Sequence, residues 1–151
     1  MDDLTPNLGL WWYFFAEIFR HVRTFFGFVF HAQGMVLMVP LTVRLWPEPL
    51  VLASIAALLV ALFKPYSCTA DLAIAAALMT VVHHQLGGAR FLMPVVAALA
   101  TAAVLNPVLW RHWVVEYRGN ANFVLATTIV HALALISAIV GSVSGATGAS
   151  T

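Results

Sequence analysis

Charge is what this sequence has least of. Its 151 residues hold 7 Lys+Arg and 6 Asp+Glu, 9% in all, against 62% hydrophobic residues, and the mean hydropathy is +0.95. A water-soluble domain draws roughly a quarter of its residues from the charged set. This chain cannot cover a water-facing surface, so most of its solvent is lipid. The formal net charge is only +1, and the basic residues fall singly or in close pairs. No stripe of them could follow a phosphate backbone, which excludes nucleic acid as a partner. A single cysteine, Cys68, allows no internal disulfide and cannot by itself build a metal or iron–sulfur site.

Catalytic constellations are also wanting. No nucleophile sits beside a base in sequence, and no carboxylates are paired as an acid and base require. His83-His84 is the most tempting pair for a metal, but neighbours on a helix point about 100° apart, whereas ligands on one face sit at i and i+4. His31 and His131 are lone histidines within apolar runs, expected to hydrogen-bond between helices. The expectation is therefore no catalytic residue, no metal and no cofactor. The opening Met1-Asp2-Asp3 lacks the basic region that starts a signal peptide, so none is expected.

What the chain does have is long uncharged runs, at 24–43, 49–63, 72–89, 91–110 and 119–151. About 20 apolar residues carry a helix across a bilayer core. The runs are continuous, not alternating as barrel strands are, so the fold class is all-α. The reading is a polytopic integral membrane bundle of about five transmembrane helices preceded by an amphipathic helix. Leu50–Phe63 is the shortest run, and the last span is expected from about Asn122 to Val143. Residues 1–143 then form a single multi-span domain, and 144–151 a disordered tail of small residues. Loops are expected at Pro47-Glu48-Pro49, Lys64-Pro65 and Gly87-Gly88, where proline and glycine interrupt helices. Five spans put Arg20, Arg23, Lys64, Arg111 and Arg118 on one side and Arg44 and Arg90 on the other, which points the N-terminal side to the cytoplasm. The alanine pairs 53/57, 73/77 and 98/102 have the spacing that lets helices approach closely in lipid.

Two segments stand apart. Over 8–26, Trp11, Phe15, Ile18, Val22, Phe25 and Phe26 recur at three and four, with Glu17, Arg20, His21 and Thr24 opposite. That is an amphipathic helix, and Trp11, Trp12 and Tyr13 suit either the headgroup plane or packing against other helices. The second segment, Arg111 to Phe123, is the longest polar stretch and bridges the last two spans. Its amides donate and accept as sugar hydroxyls and phosphates require, and Trp113 and Tyr117 can stack on a sugar face. A glycolipid headgroup suits it. The competing reading is a surface loop in which Gly119 and Asn120 turn the chain and Asn122 caps the last helix.

Asp3-Leu4-Thr5-Pro6-Asn7-Leu8-Gly9-Leu10-Trp11-Trp12-Tyr13-Phe14-Phe15-Ala16-Glu17-Ile18-Phe19 closely resembles the most characteristic stretch of the U subunit of glycosylphosphatidylinositol (GPI) transamidase, the phosphatidylinositol glycan class U family. Ala61-Leu62-Phe63-Lys64 with Tyr66, Asn106-Pro107-Val108-Leu109-Trp110-Arg111-His112-Trp113, and Gly119-Asn120-Ala121-Asn122-Phe123 look like its later landmarks in the right order. The resemblance covers roughly 2–131 and the C-terminal portion of a longer family fold. It implies a multi-pass endoplasmic-reticulum membrane subunit, non-catalytic, working with the other transamidase subunits and helping to recognise the GPI lipid or the C-terminal attachment signal. The residues it singles out are Asn120 and Asn122, with Trp113 and Tyr117 beside them for the headgroup, and the motif residues Asp3, Thr5, Pro6, Asn7, Trp12, Tyr13 and Glu17. Two other classes are a membrane glycosyltransferase like the GPI mannosyltransferases, resting on Asp2-Asp3, and a small transporter built on His31, His83, His84 and His131.

Overall fold

The computed structural model describes residues 5–86 and 92–148. It is helical throughout, with no strand among the described residues. The helices are α1 (Trp11–Glu17), α2 (Arg23–Arg44), α3 (Pro49–Phe63), α4 (Thr69–Val81), α5 (Leu92–Trp110) and α6 (Ala121–Gly148). A 3₁₀ turn, His83–Leu86, follows α4, and a π-helical turn, Arg111–Val115, extends α5. The Gly87-Gly88 loop and Arg90 lie outside the described residues.

Short connections make successive helices from α2 to α6 run up and down, so the bundle has two ends. At the α1 end lie α1 itself, the start of α2, the α3–α4 loop and the α5–α6 loop. The opposite end carries the α2–α3 loop and the 3₁₀ turn. Among the described cations, Arg20, Arg23, Lys64, Arg111 and Arg118 lie in the segments of the α1 end, and Arg44 closes α2 at the other.

Five helices stand where five spans were expected, but among the described residues three are long and apolar enough to cross a membrane: Arg23–Arg44, Leu92–Val115 and Ala121–Gly148. At about 1.5 Å per residue, the 15-residue α3 and 13-residue α4 fall short of a ~30 Å core. Yet α3 is the hub. Val51, Ser54, Ile55, Leu58, Leu59, Ala61 and Leu62 are buried, a stripe at three and four that meets α2, α4 and α6. Its sharp start follows from Pro49 in the first turn, where the missing N–H has no intrahelical partner to lose. The α6 stripe, from Val124 through Thr128, His131, Leu135, Ala138 and Ser142 to Ala146, completes the core against α3 and α5.

Three expectations change. The helix read over 8–26 is broken: α1 ends at Glu17, Ile18 is extended, and α2 begins at Arg23. The break lets Trp11 fold back onto Phe30 and His31 of α2, with Phe15 stacked on its ring, instead of continuing the α2 axis. The last helix does not stop near Val143 but runs to Gly148. Residues 144–148 are helical because Ala146 is buried and Gly145 lies against the Leu86 carbonyl so closely that any Cβ would overlap it. Residues 149–151 lie outside the described part. Of the alanine pairs, 98/102 faces inward, whereas Ala53, Ala73 and Ala77 are exposed. Contact in lipid is set by matching shape on both partners, not by small residues on one.

Candidate functional site

The N-terminal motif is a staple. Asn7 Oδ1 accepts the Gly9 N–H at 2.6 Å, while Asn7 Nδ2 donates to the Pro65 carbonyl at 3.3 Å and to that of Thr5 at 3.1 Å. A side chain at Gly9 would come within 3.3 Å of the Lys64 carbonyl, so glycine lets the motif lie flat on the α3–α4 loop. Trp11 Nε1 donates to the Phe63 carbonyl at 2.8 Å, one of the four carbonyls that a helix end leaves without a partner. The Trp11 ring stacks on Phe15 (4.4 Å between centroids) and touches Phe30 and His31. Trp11 and Trp12 are each 4% exposed. Of the two readings of this segment, packing therefore holds for both indoles, while Tyr13 is half-buried and Thr5 and Glu17 are exposed. Pro6 is half-buried before the helix, and Asp3 lies outside the described residues.

Trp12 joins the motif to the second segment: its ring lies 6.0 Å from that of Trp113. Residues separated by a hundred positions meet because α5 returns to the α1 end. Beyond Trp110 the backbone slackens into the π turn, closed by Glu116 N–H to the Arg111 carbonyl at 3.0 Å, and Arg118 N–H reaches the His112 carbonyl at 2.8 Å. Such turns recur at functional sites. Glu116 is gripped from two sides, by Arg111 at 3.3 Å and by His112 Nδ1 at 2.8 Å. Tyr117 has φ +54° and Gly119 φ +89°. A non-glycine residue held left-handed costs roughly 1–2 kcal/mol, so Tyr117 is a strained point in the loop.

This backbone shapes a hollow of about 250 Å³ lined by Leu109, His112, Trp113, Arg118, Asn120 and Phe123. Of the four residues singled out for a headgroup, Trp113 and Asn120 line it. Tyr117, 89% exposed, and Asn122, exposed on the first turn of α6, stand outside its wall. Asn120 also does what the competing reading gave to Asn122: its Oδ1 accepts the Asn122 N–H at 3.0 Å, capping α6. The amide NH2 of Asn120 is the half that the cap does not use.

A larger apolar cleft, about 500 Å³, lies between α4 and α5 over Leu58 and Ala138. Its walls run from Leu72 and Leu99 to His83, Leu86 and Leu92, in the half of the bundle away from the polar loop. Leu99 and Trp113 are about 20 Å apart along α5.

Several polar pairs escaped the sequence. Lys64 Nζ holds Asp71 at 2.8 and 3.0 Å, and Asp71 also accepts from the Cys68 N–H and thiol, which makes Cys68 the cap of α4. The hydrogen bond to Asp71 raises the Lys64 pKa above its ordinary 10.5. Asn106 Nδ2 donates to Thr127 Oγ1 at 2.9 Å, a buried clasp between α5 and α6. Lys64-to-Asp71 is a spacing of seven across a loop, and only knowledge of where α3 stops would have suggested it. The lone histidines differ from expectation: His31 Nδ1 bonds the Gly27 carbonyl of its own helix, and His131, 2% exposed, has no hydrogen-bond partner among the described residues. The His83 and His84 rings lie 3.7 Å apart, but no group of three potential metal ligands occurs among the described residues.

Helices of this length and hydropathy, with their polar groups drawn to the ends, define a polytopic helical membrane protein. Residues 1–131 match the family model described as GPI transamidase subunit PIG-U, and the chain belongs to that family. It is 39% identical over 135 residues to the GPI transamidase component GAB1 homolog of Schizosaccharomyces pombe, covering 88% of this chain and 33% of the relative. To the human GPI-anchor transamidase component PIGU it is 35% identical over 129 residues (85% and 30%). To GAB1 of Saccharomyces cerevisiae the identity is 36% over 141 residues (92% and 35%). The chain spans about a third of the length of these relatives.

Proposed function

We propose that this chain acts as a non-catalytic membrane subunit of GPI transamidase in the endoplasmic reticulum, and that its α1 end receives the headgroup of the GPI glycolipid. The family supports the setting, and the hollow beside Trp113 and Asn120 supports the role. An amide, an indole, an imidazole and a guanidinium around one small hollow offer donors for phosphate and hydroxyls and a flat face for a sugar ring. Tyr117 and Asn122, on the rim, would touch the more distal sugars. The acyl chains would then run down the lipid-facing side of α5 and α6, not into the 500 Å³ cleft. The other transamidase subunits would supply the chemistry: here the one thiol caps a helix against Asp71.

The observation that carries this reading is the division of labour within Asn120, whose oxygen caps α6 while its NH2 is left for a ligand. Asn120→Asp keeps a good cap but removes two donors and sets a negative charge where a phosphate would lie. In the intact protein within its own cells, this variant should assemble with its partners at normal levels and lose most GPI attachment, read as GPI-anchored protein at the cell surface. Full attachment by an assembled Asn120→Asp protein would sink the headgroup role and leave recognition of the C-terminal signal.

A further inference from the structure

Of the 22 residues of α2 only Gly27 is buried, and between α2 and α3 a groove of about 400 Å³ remains open. Its floor is apolar, with Met35, Met38, Ala56, Leu59 and Val60 along it and Gly34 and Ala56 leaving the space. At the α1 end it finishes on His31, Phe63 and Lys64. Open on one side and walled by hydrocarbon, it suits an apolar occupant. An alkyl chain is the slender apolar body that a bilayer supplies.

The mouth decides which lipid. The Lys64 side chain is 40% exposed and its partner Asp71 14%, so the cation is the half of the pair turned outward. An ammonium has three donors; Asp71 takes two, and the third is left for an acceptor. Asp71 thus holds Lys64 just past the end of α3, at the edge of the groove. Trp11, donating to the Phe63 carbonyl and touching His31, closes the side of the mouth nearest α1. An apolar groove ending in one outward cation is complementary to a single acyl chain ending in a phosphate.

We propose that the α2–α3 groove is a binding site for a glycerophospholipid, with one acyl chain lying along Met35, Ala56 and Val60 and the phosphate on Lys64. The bound lipid supplies the packing that α2 lacks against α3. This site is separate from the hollow at Trp113 and Asn120, and it stands whether or not that hollow takes GPI.

The test uses the intact protein in its own membrane and two photoreactive probes carrying a diazirine midway along one acyl chain, a phosphatidylglycerol and a diacylglycerol. Peptides from α2 and α3 should be labelled by the phospholipid in preference to the diacylglycerol. Ala56→Phe, which fills the groove, should abolish that labelling. Met35→Phe fills it from the other wall and serves if the first variant does not fold. Lys64→Gln should lower labelling about fivefold, the effect of about 1 kcal/mol per basic residue near anionic lipid. Asp71→Asn breaks the same ion pair but keeps the cation, so it should retain labelling and separate loss of charge from loss of the pair. Equal labelling by diacylglycerol, unchanged labelling in a folded groove-filled variant, or capture of protein instead of lipid at the groove would each overturn the proposal.

Discussion

The two ends of the bundle are held by different physics. The α1 end is tied by directed contacts: the indole N–H of Trp11 on a helix-end carbonyl, Asn7 across to Pro65, Lys64 on Asp71, Glu116 between Arg111 and His112. It also holds the unusual backbone, from the π turn through Tyr117 to Gly119. The opposite end is held by shape. There Gly145 fits under the Leu86 carbonyl and Met79 meets Ser142, around a cleft walled almost wholly by hydrocarbon. Lipid explains the contrast. Apolar side chains gain little by leaving lipid for protein, so close fit and hydrogen bonds hold the helices together. A polar group in such a setting is there for a partner or for a ligand.

Substitutions that break one end only should show this difference. The largest effect belongs to the opposite end: Gly145→Ala forces a methyl into the Leu86 carbonyl, and overpacking of this kind costs typically 1–3 kcal/mol. Its measure is a lowered unfolding midpoint in mild detergent, with GPI attachment retained in whatever protein stays folded. At the α1 end Trp11→Phe keeps the ring contacts with Phe15 and His31 but orphans the Phe63 carbonyl. It should cost about 1 kcal/mol and, by loosening α1, expose Trp12 to a water-soluble quencher of indole fluorescence. The smallest effect is expected midway, where Asn106→Ala opens the clasp on Thr127. Hydrogen bonds between membrane helices average about 0.6 kcal/mol, so the loss should be detectable only as a slight shift in the same unfolding curve. An Asn106→Ala cost as large as that at Gly145 would mean that polar contacts govern both halves.

The sequence was informative about the α1 end for a reason that these contacts make plain. The Asp3-to-Phe19 motif and the Gly119-to-Phe123 run are legible because a directed contact requires one residue type: an indole to reach Phe63, an amide to cap α6, a glycine where φ is positive. The helical class and the five segments were equally plain from uncharged runs. Less legible was which segments cross the bilayer, because the runs that form α3 and α4 are as apolar as longer ones and differ in where they stop. Val81 ends α4 because the chain there tightens into a 3₁₀ turn with His83 Nδ1 on the Thr80 carbonyl, a local choice that hydropathy does not record. The fit of Gly145 on Leu86, and with it the helical course of 144–148, depends on a neighbour sixty residues away. A run of small residues reads as a tail until that neighbour is known.

Photocrosslinking from the hollow itself tests the central claim, that the α1 end is where GPI is held. Phe123→benzoylphenylalanine places a photoreactive ring in its lining, and the same replacement at Met93, exposed near the opposite end, is the control. With the intact protein illuminated in its own membrane, a GPI adduct is expected from position 123 and none from position 93. An adduct of equal strength from both, or none from position 123 while GPI attachment proceeds normally, would contradict it.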